Sequence, residues 1–304
     1  MLVYTISLSC RRPLEDRKLV RALLTGGLGF LGLRLGRELD SRGHEVAVLD
    51  RVHGDLADEG VAVEYIGTNR PDLVMHLAAR PGRVICEQDP TRTIADNVTT
   101  STLVAKACGE LGVRLCYIST SEVYGDYKSS HPLTETDAGL GRLLNLYSVT
   151  KWAGELVSQL YAPDDLLIVR PSMAYGPGMR TGHGRAALPT MIDSFLRSEP
   201  YTVHAGAMRS WCYVDDLVRG MADVIEHGEG VYNVGRDDDL RGMLELAYLV
   251  CDVLGTDKSL IEVGQADNTI TLVKDISMDR LRSLGWSPLV GIEDGIKLTA
   301  DSFR

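Results

Sequence analysis

The first half of this 304-residue chain alternates strand-like with helix-like segments, and that alternation limits the folds open to it. The apolar segments "KLVRALLT", "HEVAVLD", "PDLVMHLAA", "VRLCYIST" and "DLLIVRP" are separated by helical patterns such as "FLGLRLGRELDSRG" and "LYSVTKWAGELVSQLY". Strands joined by helices of this length predict an α/β fold built on a doubly wound parallel sheet with right-handed crossovers.

A glycine-rich turn, "TGGLGFLG", stands directly between the first core strand and the first helix. Gly26, Gly29 and Gly32 allow a tight turn and let backbone amides approach a pyrophosphate at the helix N-terminus. Such a triplet also occurs in ordinary turns, but Asp50 ends the next strand 18 residues after Gly32, near the spacing expected for a carboxylate on an adenosine ribose. A carboxylate there repels a 2′-phosphate, which favours NAD over NADP, although the adjacent Arg51 works against that preference.

Other candidates for the cofactor site follow the same edge of the sheet. Asp55 and Leu56, in "GDL", either flank an adenine ring or belong to a surface turn, and the residues alone leave both interpretations open. They follow Asp50 so closely that the usual helix and strand in between are expected to be shortened or absent. The remaining candidates are Phe30 and Leu31 in the turn, Leu77, Ala78 and Ala79 in "HLAA", and Ser119 at a strand end.

The rhythm of the chain changes after Pro171, where Gly and Pro become more frequent and core strands fewer. This change predicts a second, smaller lobe that closes over the carboxyl edge of the sheet. We therefore divide the chain into an N-terminal extension (1–18), an NAD-binding domain (19–171) and a mainly substrate-binding lobe (172–304), from which strands can return to the sheet.

The segment "STSEVYG" places hydroxyls and a carboxylate where a buried strand ends. Burying a charge is costly, so Glu122 either marks a loop that has reached water or belongs to a reactive site at the carboxyl edge of the sheet. While the chain stays extended, Thr120 and Glu122 are two residues apart and share one face, with Ser121 between them.

A phenol and an amine recur four residues apart in "YSVTK". Tyr147 and Lys151 therefore project from one face of the same predicted helix. A nearby ammonium stabilises a phenolate, which lowers the pKa of a tyrosine and makes it a usable base near neutral pH. An amphipathic helix with a half-buried tyrosine gives the same spacing, so the pair alone is a weak signal.

Taken together, these motifs resemble those of the extended short-chain dehydrogenases/reductases, in the NAD-dependent nucleotide-sugar epimerase/dehydratase group. The resemblance covers about residues 20 to 300 and includes "TGGLGFLG", "HLAA", "STSEVYG", "YSVTK", "VRPSMAYGPG", "MRSWCYVDDLVRGM", "YNVG" and "DISMDRLRSLGWSP". It implies a Rossmann-type sheet that binds NAD. It also implies that Tyr147 takes the proton of a sugar hydroxyl, that Thr120 hydrogen-bonds the same hydroxyl, and that Lys151 holds the ribose. The reaction then passes through a transient 4-keto sugar.

The Thr-Ser-Glu pattern at 120–122 is similar to that of UDP-glucuronate decarboxylases, whereas the dTDP-glucose 4,6-dehydratase pattern has Asp in place of Ser121. "MRSW" resembles a decarboxylase segment in which the residue corresponding to Arg209 lies near the sugar and its phosphates, and Arg185 matches a further decarboxylase arginine. Met173 is a departure, because the family has an Asn there that contacts the diphosphate and a thioether cannot donate that bond.

Three functions remain open on this basis. The first is an NAD-dependent enzyme of the UDP-glucuronate decarboxylase kind, and the second is a 4-epimerase or 4,6-dehydratase acting on another nucleotide sugar. The third is a non-catalytic NAD-binding sensor or scaffold. Retention of Thr120, Tyr147 and Lys151 together argues against the third.

The remaining expectations concern partners and location. A net charge of −10 disfavours nucleic acid and anionic membrane surfaces, and no segment is long and apolar enough to span a bilayer. Six scattered Cys without a CxxC pair and seven dispersed His indicate a cytoplasmic protein without a metal site. We interpret "MLVYTISLSC" as a short strand or loose tail and not as a signal peptide. Two helices, "DNVTTSTLVAKACGELG" and "YSVTKWAGELVSQLY", resemble those that pair across the family's homodimer interface.

Overall fold

The computed structural model describes residues 19–127, 129–266 and 268–304. The predicted extension 1–18, including the segment interpreted as a strand or loose tail, lies outside the described residues. The strands are β1 (Arg21–Thr25), β2 (Glu45–Leu49), β3 (Leu73–His76), β4 (Arg114–Ile118), β5 (Leu167–Pro171), β6 (Met173–Tyr175), β7 (Tyr201–His204), β8 (Met208–Arg209), β9 (Trp211–Tyr213), β10 (Gly230–Val234), β11 (Arg241–Gly242), β12 (Ile261–Gly264) and β13 (Val273–Lys274).

Helices connect these strands. They are α1 (Phe30–Ser41), α2 (Val61–Asn69), α3 (Arg83–Gln88), α4 (Pro90–Ile94), α5 (Thr100–Leu111), α6 (Leu146–Tyr161), α7 (Ala187–Leu196), α8 (Val214–His227), α9 (Met243–Leu254), α10 (Asp279–Arg282) and α11 (Ile292–Asp301). A π-helical turn spans Ala95–Thr99, and 3₁₀ turns span Ser121–Tyr124, Glu135–Asp137 and Lys258–Leu260. None of the helices within the described ranges is long and apolar enough to cross a membrane.

A six-stranded sheet forms the centre of the molecule, in the order β10-β5-β4-β3-β1-β2. All neighbouring strands pair in parallel, which confirms the predicted doubly wound parallel sheet. The chain runs from β1 to β2 on one side and then returns to β3 on the other. The crevice at this reversal, outside the carboxyl ends of β1 and β3, is where open α/β sheets bind ligands.

Both faces of the sheet are covered, which explains the continuous apolar runs of its central strands. Neighbouring residues of each strand point to opposite faces, so that Leu24 of β1 packs with side chains of α1 and α8, while Leu23 packs with those of α2 and α5. Met75 and Val74 of β3 divide between the same two clusters. The core therefore consists of two apolar layers that hold the carboxyl ends of the strands at one edge.

The chain after Pro171 builds a third apolar cluster around α7, α9 and α11, which includes Met191, Phe195, Leu246 and Ile296. Short sheets frame this cluster: β11-β8-β13 with three strands, and the pairs β12-β7 and β6-β9. The same part of the chain also supplies β10, which pairs with β5 over the register Gly230 to Val234. The predicted boundary at 171/172 stays a prediction, since main-sheet strands come from both sides of it.

A buried ion pair joins β5 to α6. Arg170 donates from Nε and one Nη to the two carboxylate oxygens of Glu155 at 2.9 and 2.7 Å, and the side chains are 3% and 0% exposed. Ser119, just after β4, donates its hydroxyl to the same carboxylate at 2.5 Å. Tyr124 connects Arg170 to Asn233 of β10 through hydrogen bonds of 3.2 and 2.6 Å. One polar network thus joins three strands to the helix that carries Tyr147 and Lys151.

Glu155→Ala should lower the free energy of unfolding by about 3–5 kcal/mol, because it leaves the guanidinium of Arg170 buried without its partner. Urea denaturation of the variant and the parent measures this loss. Asp294→Ala is the matched control, since it removes an exposed pair with Lys297 and should change stability by no more than about 1 kcal/mol. If both substitutions lowered the free energy of unfolding by the same small amount, the network would not contribute the stability predicted for it.

Candidate active site

A cavity of about 1650 Å³ opens at the carboxyl edge of the sheet and extends under the second lobe. Every residue that the sequence predicts for the cofactor, the chemistry and the substrate lies on its wall. These residues are Gly26, Gly29, Phe30, Leu31, Gly32, Asp50, Arg51, Asp55, Leu56, Leu77, Ala78, Ala79, Ser119, Thr120, Ser121, Glu122, Tyr147, Lys151, Met173, Arg185 and Arg209.

The glycine-rich turn between β1 and α1 has the shape that a pyrophosphate requires. Gly26 has a positive φ of 68°, and a Cβ there would lie 2.8 Å from the backbone of Ala78. A Cβ on Gly32 would lie 2.6 Å from the carbonyl oxygen of Gly26. Helix α1 begins after Gly29 without a side-chain cap, so its leading N–H groups point at an anion site. This cradle fits the dinucleotide that the sequence predicts.

The end of the cavity where the sequence predicts the adenosine is acidic. Asp50 follows β2, and its carboxylate accepts the backbone N–H groups of Leu28 at 3.0 Å and Arg51 at 2.8 Å. The guanidinium of Arg51 pairs instead with Asp96, at 2.7 Å, in the π-helical turn. No helix or strand lies between the end of β2 and the start of α2, as expected, and the connecting residues include Asp55 on the cavity wall.

Asp55 is itself part of an ion-pair chain. Its carboxylate accepts the N–H of Ala57 at 3.0 Å and pairs with Arg92 at 2.7 Å, and these contacts hold its pKa below the ordinary value. Arg92 also pairs with Asp96 at 2.7 Å. Arg92 and Asp96 are not among the residues predicted from the sequence, because their pairing with Asp55 and Arg51 joins segments that are distant in the chain.

Strand β4 ends at Ile118, and the chain then turns. The hydroxyl of Thr120 accepts the N–H of Glu122 at 3.3 Å and caps the 3₁₀ turn Ser121–Tyr124. The expectation that Thr120 and Glu122 share one face of an extended strand is therefore wrong, because the capping hydroxyl favours a helical turn over a continued strand. Ser121 is buried within that turn, and Glu122 still reaches the cavity.

Tyr147 and Lys151 both lie on α6 and face the end of β4. The phenol of Tyr147 lies close enough to the hydroxyl of Thr120 for Thr120 to affect its pKa, while the ammonium of Lys151 donates to the carbonyl oxygen of Ile118 at 2.6 Å. Burial raises the pKa of Tyr147 above its ordinary value, although Thr120 acts in the opposite direction. Burial also lowers the pKa of Lys151 to about 7, against the attraction of Glu155. The spacing of Tyr147 and Lys151 predicted that Lys151 lowers the pKa of Tyr147. This effect is absent here, because Lys151 hydrogen-bonds the carbonyl oxygen of Ile118.

Glu122 pairs with a residue that the sequence analysis missed. Its carboxylate accepts a hydrogen bond from the ammonium of Lys274, on β13, 152 residues later in the chain. Burial favours the neutral carboxyl, but Lys274, Arg209 and Arg83 outweigh it and hold the pKa of Glu122 below its ordinary value. Glu122 is thus a paired carboxylate and not a solvated strand end. No local pattern in "TLVKDIS" indicates Lys274, since only the fold brings the two residues together.

Besides Thr120, the three other predicted substrate residues differ in how they are held. Arg209 is buried, and its guanidinium donates to the carbonyl oxygens of Met208, Thr271 and Leu272 at 2.7, 2.5 and 2.6 Å. Met173 is half-buried on β6 and packs against the third apolar cluster, around α7, α9 and α11. Arg185 is exposed in the turn before α7.

Comparisons with known proteins agree with this architecture. A profile of the NAD dependent epimerase/dehydratase family matches residues 22–235. UDP-glucuronic acid decarboxylase 1 of Arabidopsis thaliana is 30% identical over an alignment 312 residues long. The alignment covers 95% of this chain and 71% of that protein. The structure of Thermus thermophilus UDP-glucose 4-epimerase with NAD superimposes with a TM-score of 0.82 at 28% identity, covering 93% of this chain and 99% of that one. MoeE5, solved with UDP-glucuronic acid and NAD, gives a TM-score of 0.81 at 25% identity, covering 93% and 98%.

Proposed function

This chain belongs to the NAD dependent epimerase/dehydratase family, and we propose that it is a decarboxylase of a nucleotide-linked uronic acid, with UDP-glucuronate as the leading substrate. The relatives named UDP-glucuronic acid decarboxylase support the choice of reaction. The observation that carries the proposal is Glu122, an ionised carboxylate beside the Thr120–Tyr147 pair and close to Lys274 and Arg209. A 4-epimerase needs only to rotate a keto sugar, whereas loss of CO₂ needs a group that manages charge and protons at C5.

The cofactor proposed for the glycine cradle is NAD. Three features favour it over NADP: the carboxylate of Asp50 at the end of β2, the pairing of Arg51 with Asp96, and the further carboxylate of Asp55. A 2′-phosphate would meet these acids without a free guanidinium from Arg51. The glycine turn and Asp50 would hold the cofactor, which would supply reversible hydride transfer with the sugar.

The chain's own residues perform the proton chemistry in this proposal. Tyr147 takes the proton of the 4-hydroxyl, which Thr120 orients through its own hydroxyl, and Lys151 stabilises the phenolate by turning its ammonium away from the carbonyl oxygen of Ile118. The C5–C6 bond of the 4-keto uronate then breaks, its electron pair moves onto C5 and the C4 oxygen, and CO₂ leaves. Glu122, whose side chain is 23% exposed, takes a proton from solvent and passes it to C5. Tyr147 finally returns its proton to the C4 oxygen.

The nucleotide end of the substrate is assigned to the second lobe. Arg185 lies on the cavity wall and is exposed, which suits it for the diphosphate. Met173 cannot donate a hydrogen bond there. This residue is the specific feature that favours the second candidate, a 4-epimerase or 4,6-dehydratase that acts on a different nucleotide sugar.

We also propose that the protein is a cytoplasmic homodimer. On α6, Val149, Leu156 and Leu160 expose apolar side chains at spacings of seven and four residues, which places them along one face of the helix.

The described cysteines Cys86, Cys108, Cys116, Cys212 and Cys251 are unpaired, which suits a reducing compartment.

Incubation with NAD and UDP-glucuronate should convert the substrate to a product lighter by the mass of one CO₂, measured by mass spectrometry. Glu122→Gln should still oxidise the sugar but slow the later steps, because an amide cannot relay the proton that C5 requires. Near-ultraviolet absorbance should then show reduced cofactor building up together with a 4-keto sugar. A product of unchanged mass and altered stereochemistry would favour the 4-epimerase instead, and a product lighter by one water the dehydratase.

Tyr147→Phe should bind NAD like the parent but oxidise the sugar more slowly by about two to four powers of ten, the usual contribution of a general base. Single-turnover absorbance measures the oxidation, and cofactor titration measures binding. Turnover at the parental rate would contradict the assigned role of Tyr147.

Analytical ultracentrifugation should give a mass near twice that of the 33.2 kDa chain. Leu156→Lys should shift this mass towards that of one chain, since it places a charge on the exposed apolar face of α6. A parental mass of one chain would refute the dimer.

A further inference from the structure

The ion pair between Lys274 and Glu122 has unused hydrogen-bonding capacity that faces the cavity. The ammonium of Lys274 carries three N–H donors, and within the described residues it donates to Glu122 Oε1. Both residues lie on the cavity wall, although Lys274 is only 8% exposed. A buried ammonium with donors left over is costly unless a further acceptor arrives.

Arg209, the other buried cation beside Glu122, is committed elsewhere. Its guanidinium makes three bonds to backbone carbonyl oxygens of the segments 208 and 271–272. It therefore fixes the segment just before β13 and contributes its charge, but it cannot leave these carbonyls without unpairing them. Lys274 has a flexible four-carbon stem and a single partner, so it is the cation that can turn towards a ligand.

We propose that Lys274 is the specificity-determining residue of this site, and that it selects a sugar carrying a carboxylate by turning its ammonium from Glu122 to that carboxylate. This inference rests on the proposed function and names the residue that recognises the acid group. The exchange replaces one carboxylate partner by another, so Lys274 stays paired throughout. Arg209 continues to offset the charge of Glu122 while the substrate is bound.

A neutral sugar lacks this exchange. Its hydroxymethyl group offers Lys274 a neutral acceptor, which is weaker than a carboxylate, so the ion pair with Glu122 remains. Without Lys274, an acidic sugar would place its carboxylate beside Glu122 with no cation between them, and the two like charges would repel. Removal of Lys274 therefore weakens binding of the acid and spares that of the neutral sugar.

The test measures binding in a Tyr147→Phe background, so that the ligand is not consumed. Dissociation constants for UDP-glucuronate and UDP-glucose are determined by calorimetry on NAD-loaded protein. Addition of Lys274→Met should reduce the preference for the uronate by roughly 10- to 100-fold, the range of a charge-assisted hydrogen bond. The affinity for UDP-glucose should change by no more than about threefold. This is well below a tenfold change, which corresponds to about 1.4 kcal/mol. Lys274→Arg should retain most of the preference.

Lys297→Met is the matched control, because it removes an equal charge from an exposed position on α11 and should leave the preference unchanged. Where Lys274→Met fails to fold around an unpaired Glu122, Lys274→Met with Glu122→Gln removes both charges of the pair and should show a loss of preference in the same direction, smaller because the repulsion from Glu122 is gone. An unchanged preference, or an equal loss of affinity for both sugars, would overturn the inference.

Failure of this inference is distinguishable from failure of the proposed function. A parent that releases CO₂ from UDP-glucuronate, with a preference that does not depend on Lys274, keeps the function and overturns the inference. A parent that prefers the uronate through Lys274 but releases no CO₂ keeps the inference and overturns the function. A protein without any preference for the uronate contradicts the inference outright.

Discussion

The pairing of Arg170 with Glu155 fixes the geometry on which the candidate site depends. Both charges are buried, and each satisfies the other through two hydrogen bonds, so neither can move without exposing an unpaired ion to an apolar interior. Because Glu155 also binds Ser119, the end of β4 is held against α6. Thr120 therefore lies beside Tyr147. On α6, Tyr147 precedes Lys151 by four residues and Glu155 by eight.

The charges above that frame come from a different part of the chain. Strand β13 brings Lys274 to Glu122, and Arg209 holds the neighbouring backbone in place through its carbonyl oxygens. The end of β4 and helix α6 therefore carry the groups proposed for proton transfer, and the second lobe carries Lys274 and Arg209. On the proposed assignment, such a division would let one oxidation chemistry serve different sugars, since changes in the lobe would alter recognition without disturbing Tyr147.

Features that depend on local spacing could be predicted from the sequence. The glycine turn, Asp50 and the Tyr147–Lys151 pair all follow from residues close together in the chain, and each lies on the cavity wall. Contacts between distant segments could not be predicted in the same way. Nothing near Lys274 indicates that it pairs with Glu122, and nothing near Asp96 indicates that it pairs with Arg51. The backbone turn at Thr120 replaced the expected strand because a hydroxyl capped it.

The return of the chain to the main sheet at β10 makes the two halves inseparable. Strand β5 is buried along its whole length, and β10 covers the edge that would otherwise face water. Without residues beyond 171, β5 would present a row of unpaired backbone groups with the apolar sequence "LIV", which is a template for aggregation. The second lobe is therefore built from two stretches of chain, one inserted between β5 and β10 and one that follows β10, so it is not a detachable module.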